Sequence, residues 1–458
     1  MKKTEQNPIE HKLKDDDTVY FLHIPKTAGT TLTTLLDSHF DLDSITKAQV
    51  WQKLLQNGPH DFSKYRLIRG HFGYGLHRVL PKKPIYITML REPIERTISF
   101  YHHMCTDPLT NNWVKDFLSK SDKLSDLIYD TDKKLVFANE QTRHIALDLD
   151  VLSITKHLDK DKLNNFFYES ISEFISPDIT DDKLLSMAKQ HLLEFTFFGL
   201  TERFDDSLFL LCYTFGWRPI HNVQKEMVLP GRPLREEFSK DVIDKIVECT
   251  KLDAELYAYA RSLFEDRFSY MVQDLKEKYY DQSLADMPFQ QMIYELLERH
   301  YNNRFAESKD PVHSIEYDFS KSMYGSGWYA REVLSDGNIF RWTGPDTVST
   351  IDFPLAMNED YKIQFCVVMC LSQDIVESLR LKVNKINIDL SLQQNEGKII
   401  FEGVIPKSSL NGEKNFIRFS FEVNHTVSPH SINPDSADKR MLGVALDLIN
   451  VSNITSIL

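Results

Sequence analysis

Three short apolar runs, at 18–24, 84–90 and 195–201, each give way directly to a stretch with helical spacing. Apolar runs of this length without alternation fit strands buried on both faces, and strand-then-helix order predicts a parallel sheet flanked by helices. Helical spacing then continues through 241–280 and near 283–301. A polar stretch at 302–313 interrupts it and reads as a linker. Beyond lie short runs at 340–342, 348–353, 361–368, 386–392, 399–404 and 416–423, separated by Gly, Pro and Asn turns with no helical period between them. That pattern predicts an all-β sandwich. The fold class is therefore α/β with an appended all-β region, in four parts: a polar, mobile tail at 1–17, an α/β domain at 18–301, the linker at 302–313 and a β-sandwich at 314–458.

Candidate chemistry sits where strands end. After the first run come Pro25, Lys26, Thr27, Ala28, Gly29, Thr30 and Thr31, then a helical pattern. A strand feeding a small-residue loop that opens a helix is a phosphate cradle, because backbone N–H groups and the helix macrodipole both favour an anion there. In the common nucleotide-binding loop GxxxxGK[ST] the lysine follows the last glycine. Here Lys26 precedes Gly29, which argues against an ordinary ATPase, GTPase or kinase. The second run leads into Arg91, Glu92 and Pro93, and proline suits a first helical turn. Arg91 is then expected at the strand's carboxyl end, with Ser99 about two turns into the helix.

Composition narrows the reading. With 458 residues, 42% of them hydrophobic, the chain is expected to form two domains. A net charge of −13 disfavours nonspecific nucleic-acid binding, yet leaves room for a locally positive cleft. Five cysteines in no recognisable framework fit a reducing compartment. No run of about 20 apolar residues appears, and no spacing of a familiar metal site is present.

The two junctions together resemble the sulfotransferases that use 3′-phosphoadenosine-5′-phosphosulfate (PAPS), with a PKTxGTT loop and an LRxPxxRxxSxY segment. Residues 69–72, Arg-Gly-His-Phe, stand where heparan sulfate 2-O- and 6-O-sulfotransferases carry a basic histidine; residues 83–96 look like the 2-O enzymes, and 139–143 and 252–260 like the 6-O enzymes. The likeness covers roughly 18–275. It implies a P-loop-like PAPS-binding loop in which Lys26 stabilises the leaving group and Thr27, Ala28, Gly29, Thr30 and Thr31 hold the 5′-phosphosulfate. Arg91 and Ser99 would take the 3′-phosphate, and Lys225, Arg232 and Arg235 from a closing loop would contact the 3′-phosphate or an acidic acceptor. His71 would be the general base, with His23 and His77 as weaker candidates among 16 histidines. Arg69 replaces the first of two histidines found in the 2-O family, so His71 is expected to act without that neighbour. Arg69, Gln141 and Arg143 are candidates for the acceptor side.

The implied reaction is sulfuryl transfer from PAPS to a hydroxyl of a saccharide or polysaccharide, with no metal. The alternative is a PAP- or glycan-binding protein without turnover. Residues 327–329, 340–345 and 438–446 look like a β-domain appended to bacterial surface-polysaccharide enzymes, and Trp328, Tyr329 and Trp342 are candidates for stacking on sugars. The animal enzymes carry a membrane anchor, and the polar start of this chain predicts a bacterial, cytoplasmic protein instead.

Overall fold

The computed structural model describes residues 9–56, 61–106, 118, 123–129, 137–155, 179–220, 231–395, 398–410 and 414–454. These form two compact units: residues 1–33, 44–215 and 223–278, and residues 34–43, 216–222 and 279–458.

The first unit is built on four parallel strands, β1 (Val19–Leu22), β2 (Leu67–Gly70), β3 (Ile85–Leu90) and β4 (Phe197–Leu200), in the order β2-β1-β3-β4. Every residue of β1 and β4 is buried, as expected for strands covered on both faces. Helices follow three of the strands: α1 (Gly29–Ser38) after β1, Pro93–Thr106 after β3 and Phe204–Phe215 after β4. All four carboxyl ends lie at one edge of the sheet, the usual place for a ligand in such folds. The residues that follow them are His23 and Lys26, His71, Arg91, and Glu202.

Three expectations are corrected. Strand β2 was not foreseen, since its four residues include Arg69. The run at 241–280 is two helices, Lys240–Cys249 and Lys251–Tyr279, separated at Thr250. Within the described part of the supposed tail, residues 9–17 are packed: Ile9 is buried, His11 N–H donates to the Thr214 carbonyl, and Arg66 reaches the Lys14 and Asp17 carbonyls.

In the second unit the Phe289–Ser308 helix continues through much of the stretch read as a linker. Two antiparallel sheets follow, one of seven strands and one of five. Ile417–Glu422 alternates buried and half-buried positions along its length, and its Phe421 meets Phe365 of the other sheet edge-on at 5.1 Å. The two inner faces thus share one apolar core. The run at 386–392 divides at Asp389: Ile386–Ile388 pairs within the five-stranded sheet and Leu390–Asn395 within the seven-stranded one. Val444–Asn453, seen in the sequence only in part, is a central strand that pairs with three others.

The proposed sugar-stacking aromatics are engaged elsewhere. Trp342 is 5% exposed. Trp328 packs on Phe319 and Phe421 and donates its indole N–H to the Thr350 carbonyl. Tyr329 lies under Arg440. No described helix is long and apolar enough to cross a membrane.

Candidate active site

The loop after β1 is tightly specified. Lys26 and Ala28 adopt φ of 69° and 62°, a region that costs a non-glycine residue roughly 1–2 kcal/mol. Thr27 is fully buried and donates its hydroxyl to the Ile24 carbonyl at 2.8 Å, closing the turn from inside. Gly29 begins α1 against the His23 ring, where an added Cβ would lie 1.9 Å from Nε2. Any side chain at this position would displace His23. Thr30 is exposed and Thr31 buried in the first turn.

Arg91 comes directly after β3. Its guanidinium donates from Nη1 to the Lys26 carbonyl at 3.1 Å, so the two strand-end loops are joined at their cations. Arg232 approaches from a later segment, donating to the Glu95 carbonyl at 3.1 Å and to the Glu95 carboxylate. Burial, and then the neighbouring charge of Arg232, push the Arg91 pKa down. The same pattern holds at His102, lowered by burial, Arg232 and Lys26. Lys26, Arg91, His102 and Arg232 therefore share one electropositive locality, in which Arg91 Nε and Arg232 Nε are buried with no protein partner. Buried polar atoms ordinarily find partners, so this region fits an anionic ligand. Ser99 lies in the Pro93–Thr106 helix and is 9% exposed.

Beside that locality is a group of imidazoles. His71 Nδ1 sits 2.7 Å from the His23 carbonyl, and a carbonyl only accepts, so Nδ1 carries the proton and Nε2 the lone pair. The two rings lie 4.4 Å apart. Burial pushes the His71 pKa down to about 4, which leaves the ring neutral at pH 7. The His23 pKa is also held well down, first by burial and then by His71, His144 and the cations Lys26 and Arg69. His144 has the same tautomer, its Nδ1 2.9 Å from the Glu140 carbonyl, and its Nε2 is buried and unpartnered.

Other sequence candidates separate. His77 Nδ1 contacts the Tyr74 carbonyl and the Tyr86 hydroxyl, each at 3.1 Å, which fits a structural role. Arg69 Nη1 donates to the Thr46 carbonyl at 3.1 Å. Arg235 is exposed on a short helical turn, and Lys225 lies outside the described residues. Arg143 is beside Glu140, Asp253 and Arg96.

Gln141 calls for a correction. Rather than lining an acceptor site it is 1% exposed, with its amide bonded to the Arg91 backbone. Sequence reading also missed Asn139, Glu140, His144, Glu202 and Asp253 as site-building residues. Their contacts bridge segments far apart in the chain, and the one local signal was the polar Asn-Glu-Gln-Thr-Arg run. Among the described residues no cluster of three or more His, Cys, Asp or Glu side chains could hold a metal.

Comparison with known proteins bears on the family. Over 305 residues the chain is 27% identical to human heparan-sulfate 6-O-sulfotransferase 1, an alignment covering 58% of this chain and 70% of that protein. It is 26% identical over 301 residues to heparan-sulfate 6-O-sulfotransferase 2 of Gallus gallus, covering 58% and 71%. A family model described as the sulfotransferase family matches residues 10–260, a range that includes the loop after β1, His71, Arg91 and Arg232. With more than half of its length in that match, the chain belongs to the sulfotransferase family.

Proposed function

We propose that the protein transfers the sulfuryl group of PAPS to a hydroxyl of a saccharide acceptor. The observation that carries this reading is the junction of two cationic strand-end loops, Lys26 to Arg91, beside a neutral imidazole with a lone pair on Nε2. The names of the relatives support a saccharide acceptor, and the family supports PAPS as donor.

In this scheme the loop amides, Thr30 and Thr31 hold the 5′-phosphosulfate at the start of α1, while Thr27 holds the loop in shape. Arg91, Arg232 and Ser99 take the 3′-phosphate. The acceptor oxygen attacks sulfur as the bond from sulfur to the 5′-phosphate oxygen breaks, an in-line transfer governed by positioning and electrostatics. Charge builds on the departing oxygen, where Lys26 stabilises it. The acceptor's hydroxyl proton passes to His71 Nε2, a step worth about 10²–10⁴-fold. A pKa near 4 makes the free imidazole a weak base, but the negative charge of bound PAPS favours its protonated form and raises its basicity in the loaded site. We further propose that the second unit is an accessory β-sandwich outside the transfer chemistry.

The test is PAP release from PAPS in the presence of de-O-sulfated heparan sulfate and other glycans. Acceptor-dependent release that His71→Ala lowers by about 10²-fold or more supports the assignment. Release that is unaffected by His71→Ala overturns its role as base.

A further inference from the structure

The side-chain amide of Gln141 lies along the backbone of Arg91. Its Oε1 accepts from the Arg91 N–H and its Nε2 donates to the Arg91 carbonyl, each at 2.9 Å. Because peptide groups are planar, two bonds that hold the N–H and the carbonyl of one residue fix the planes on either side of its Cα. The direction in which the Arg91 side chain leaves the backbone at the end of β3, its Cα–Cβ bond, is thereby set. The Arg91 guanidinium ends on the carbonyl of Lys26, a residue in the left-handed region.

Gln141 is itself locked. It is the second residue of the Glu140–Ala146 helix, whose N–H groups at Gln141 and Thr142 donate to the Asp253 carboxylate at 3.2 and 2.7 Å, with the Thr142 hydroxyl adding a third bond at 2.7 Å. The exchange is mutual. Asn139 Oδ1 accepts from the Leu252 and Asp253 N–H groups at 2.9 and 3.3 Å, near the start of the Lys251–Tyr279 helix. Each helix thus satisfies the other's open N–H groups, which have no partner within their own helix. On the far flank Glu202 accepts from the Glu92 N–H at 3.0 Å and from the Tyr257 hydroxyl at 2.6 Å.

We propose that Gln141 is a positioning residue for the nucleotide 3′-phosphate, acting through Arg91, and that the crossed caps of Asn139 and Asp253 hold it in place. This rests on the donor reading above. The discriminating readout is the preference for PAP over 5′-AMP, which lacks only the 3′-phosphate, measured by calorimetry on the full chain. Gln141→Leu is expected to lose about tenfold in PAP affinity, two hydrogen bonds' worth, while AMP affinity stays within about twofold. Gln141→Glu keeps an acceptor for the Arg91 N–H but has no donor for its carbonyl when ionised; it is expected to lose PAP preference too, and it carries the test if the leucine variant does not fold. An unchanged preference in a folded variant, or an equal loss for both nucleotides, overturns the proposal. A wild type that binds PAP and AMP alike overturns the donor reading instead.

Discussion

In the second unit every guanidinium nitrogen of Arg331 is bonded, to the carbonyls of Asp37, Phe40, Phe319 and Lys321 at 2.6–2.8 Å. Arg418 grips both oxygens of Asp352 at 2.8 Å and extends to Glu298 at 3.2 Å, and its pKa is raised overall despite burial. In the first unit Arg91 and Arg232 differ from these two. Among the described residues Arg91 has only the Lys26 carbonyl as a side-chain partner, and Arg232, paired with the Glu95 carboxylate, lies close enough to repel it; each keeps a buried Nε without a partner. Burying a cation without full compensation is costly, so such a pair persists where a ligand supplies the missing charge. Arg331 and Arg418 are bound up in the architecture, while Arg91 and Arg232, which converge, mark a candidate place for an anion.

This contrast is open to direct attack. The largest expected effect is catalytic: Lys26→Ala lowers sulfuryl transfer by about 10²–10³-fold or more, measured as acceptor-dependent PAP release, because it removes the cation proposed to answer the leaving oxygen. Next is stability. Arg331→Ala strips four carbonyls of their donor and is expected to destabilise by about 3–5 kcal/mol in denaturant unfolding, whereas Arg91→Met, which relieves like-charge repulsion, costs less than about 1 kcal/mol. Equal losses in the two variants would erase the distinction.

A pH effect is smaller and comes from both units. His71 is depressed to about 4, and His39, stacked on Trp217 at 3.9 Å in the second unit, to about 3, each first by burial. Groups that refuse a proton in the folded state but accept it near 6.5 when unfolded contribute stability that is complete above about pH 6.5 and is lost as pH falls toward the folded values. Tm is therefore expected to fall from pH 7 to pH 5, and less steeply in His71→Gln. The smallest effect is at Thr27, whose hydroxyl closes the donor loop. Thr27→Val is expected to lose about 1 kcal/mol in PAP binding and Thr27→Ser almost none, by calorimetry.

Legibility followed distance along the chain. The loop after β1 and the place of Arg91 after β3 could be read because each is built from residues adjacent in sequence: strand, turn and helix start within a dozen residues. Strands β1, β3 and β4 were visible as uninterrupted apolar runs, while β2 was not, with four residues and an arginine among them. Gln141 could not be assigned from its neighbours, since its partner lies 50 positions away and its own cap 112 positions away. The break at Thr250 was hidden because helical spacing continues across it. In the antiparallel region, alternation revealed Ile417–Glu422 but did not show that the run at 386–392 changes sheets at Asp389, which pairing alone determines. Of the aromatic residues read as sugar platforms, Trp342 is buried and Trp328 and Tyr329 are half-buried against neighbours, since composition does not report which way a ring faces.

The most direct test of the central claim is calorimetric titration of the full chain with PAP, beside Lys26→Ala and Arg91→Ala. Binding in the micromolar range that either substitution weakens by more than about tenfold is the predicted result. A folded wild type that takes up no PAP would contradict the account and leave the convergent cations without a ligand.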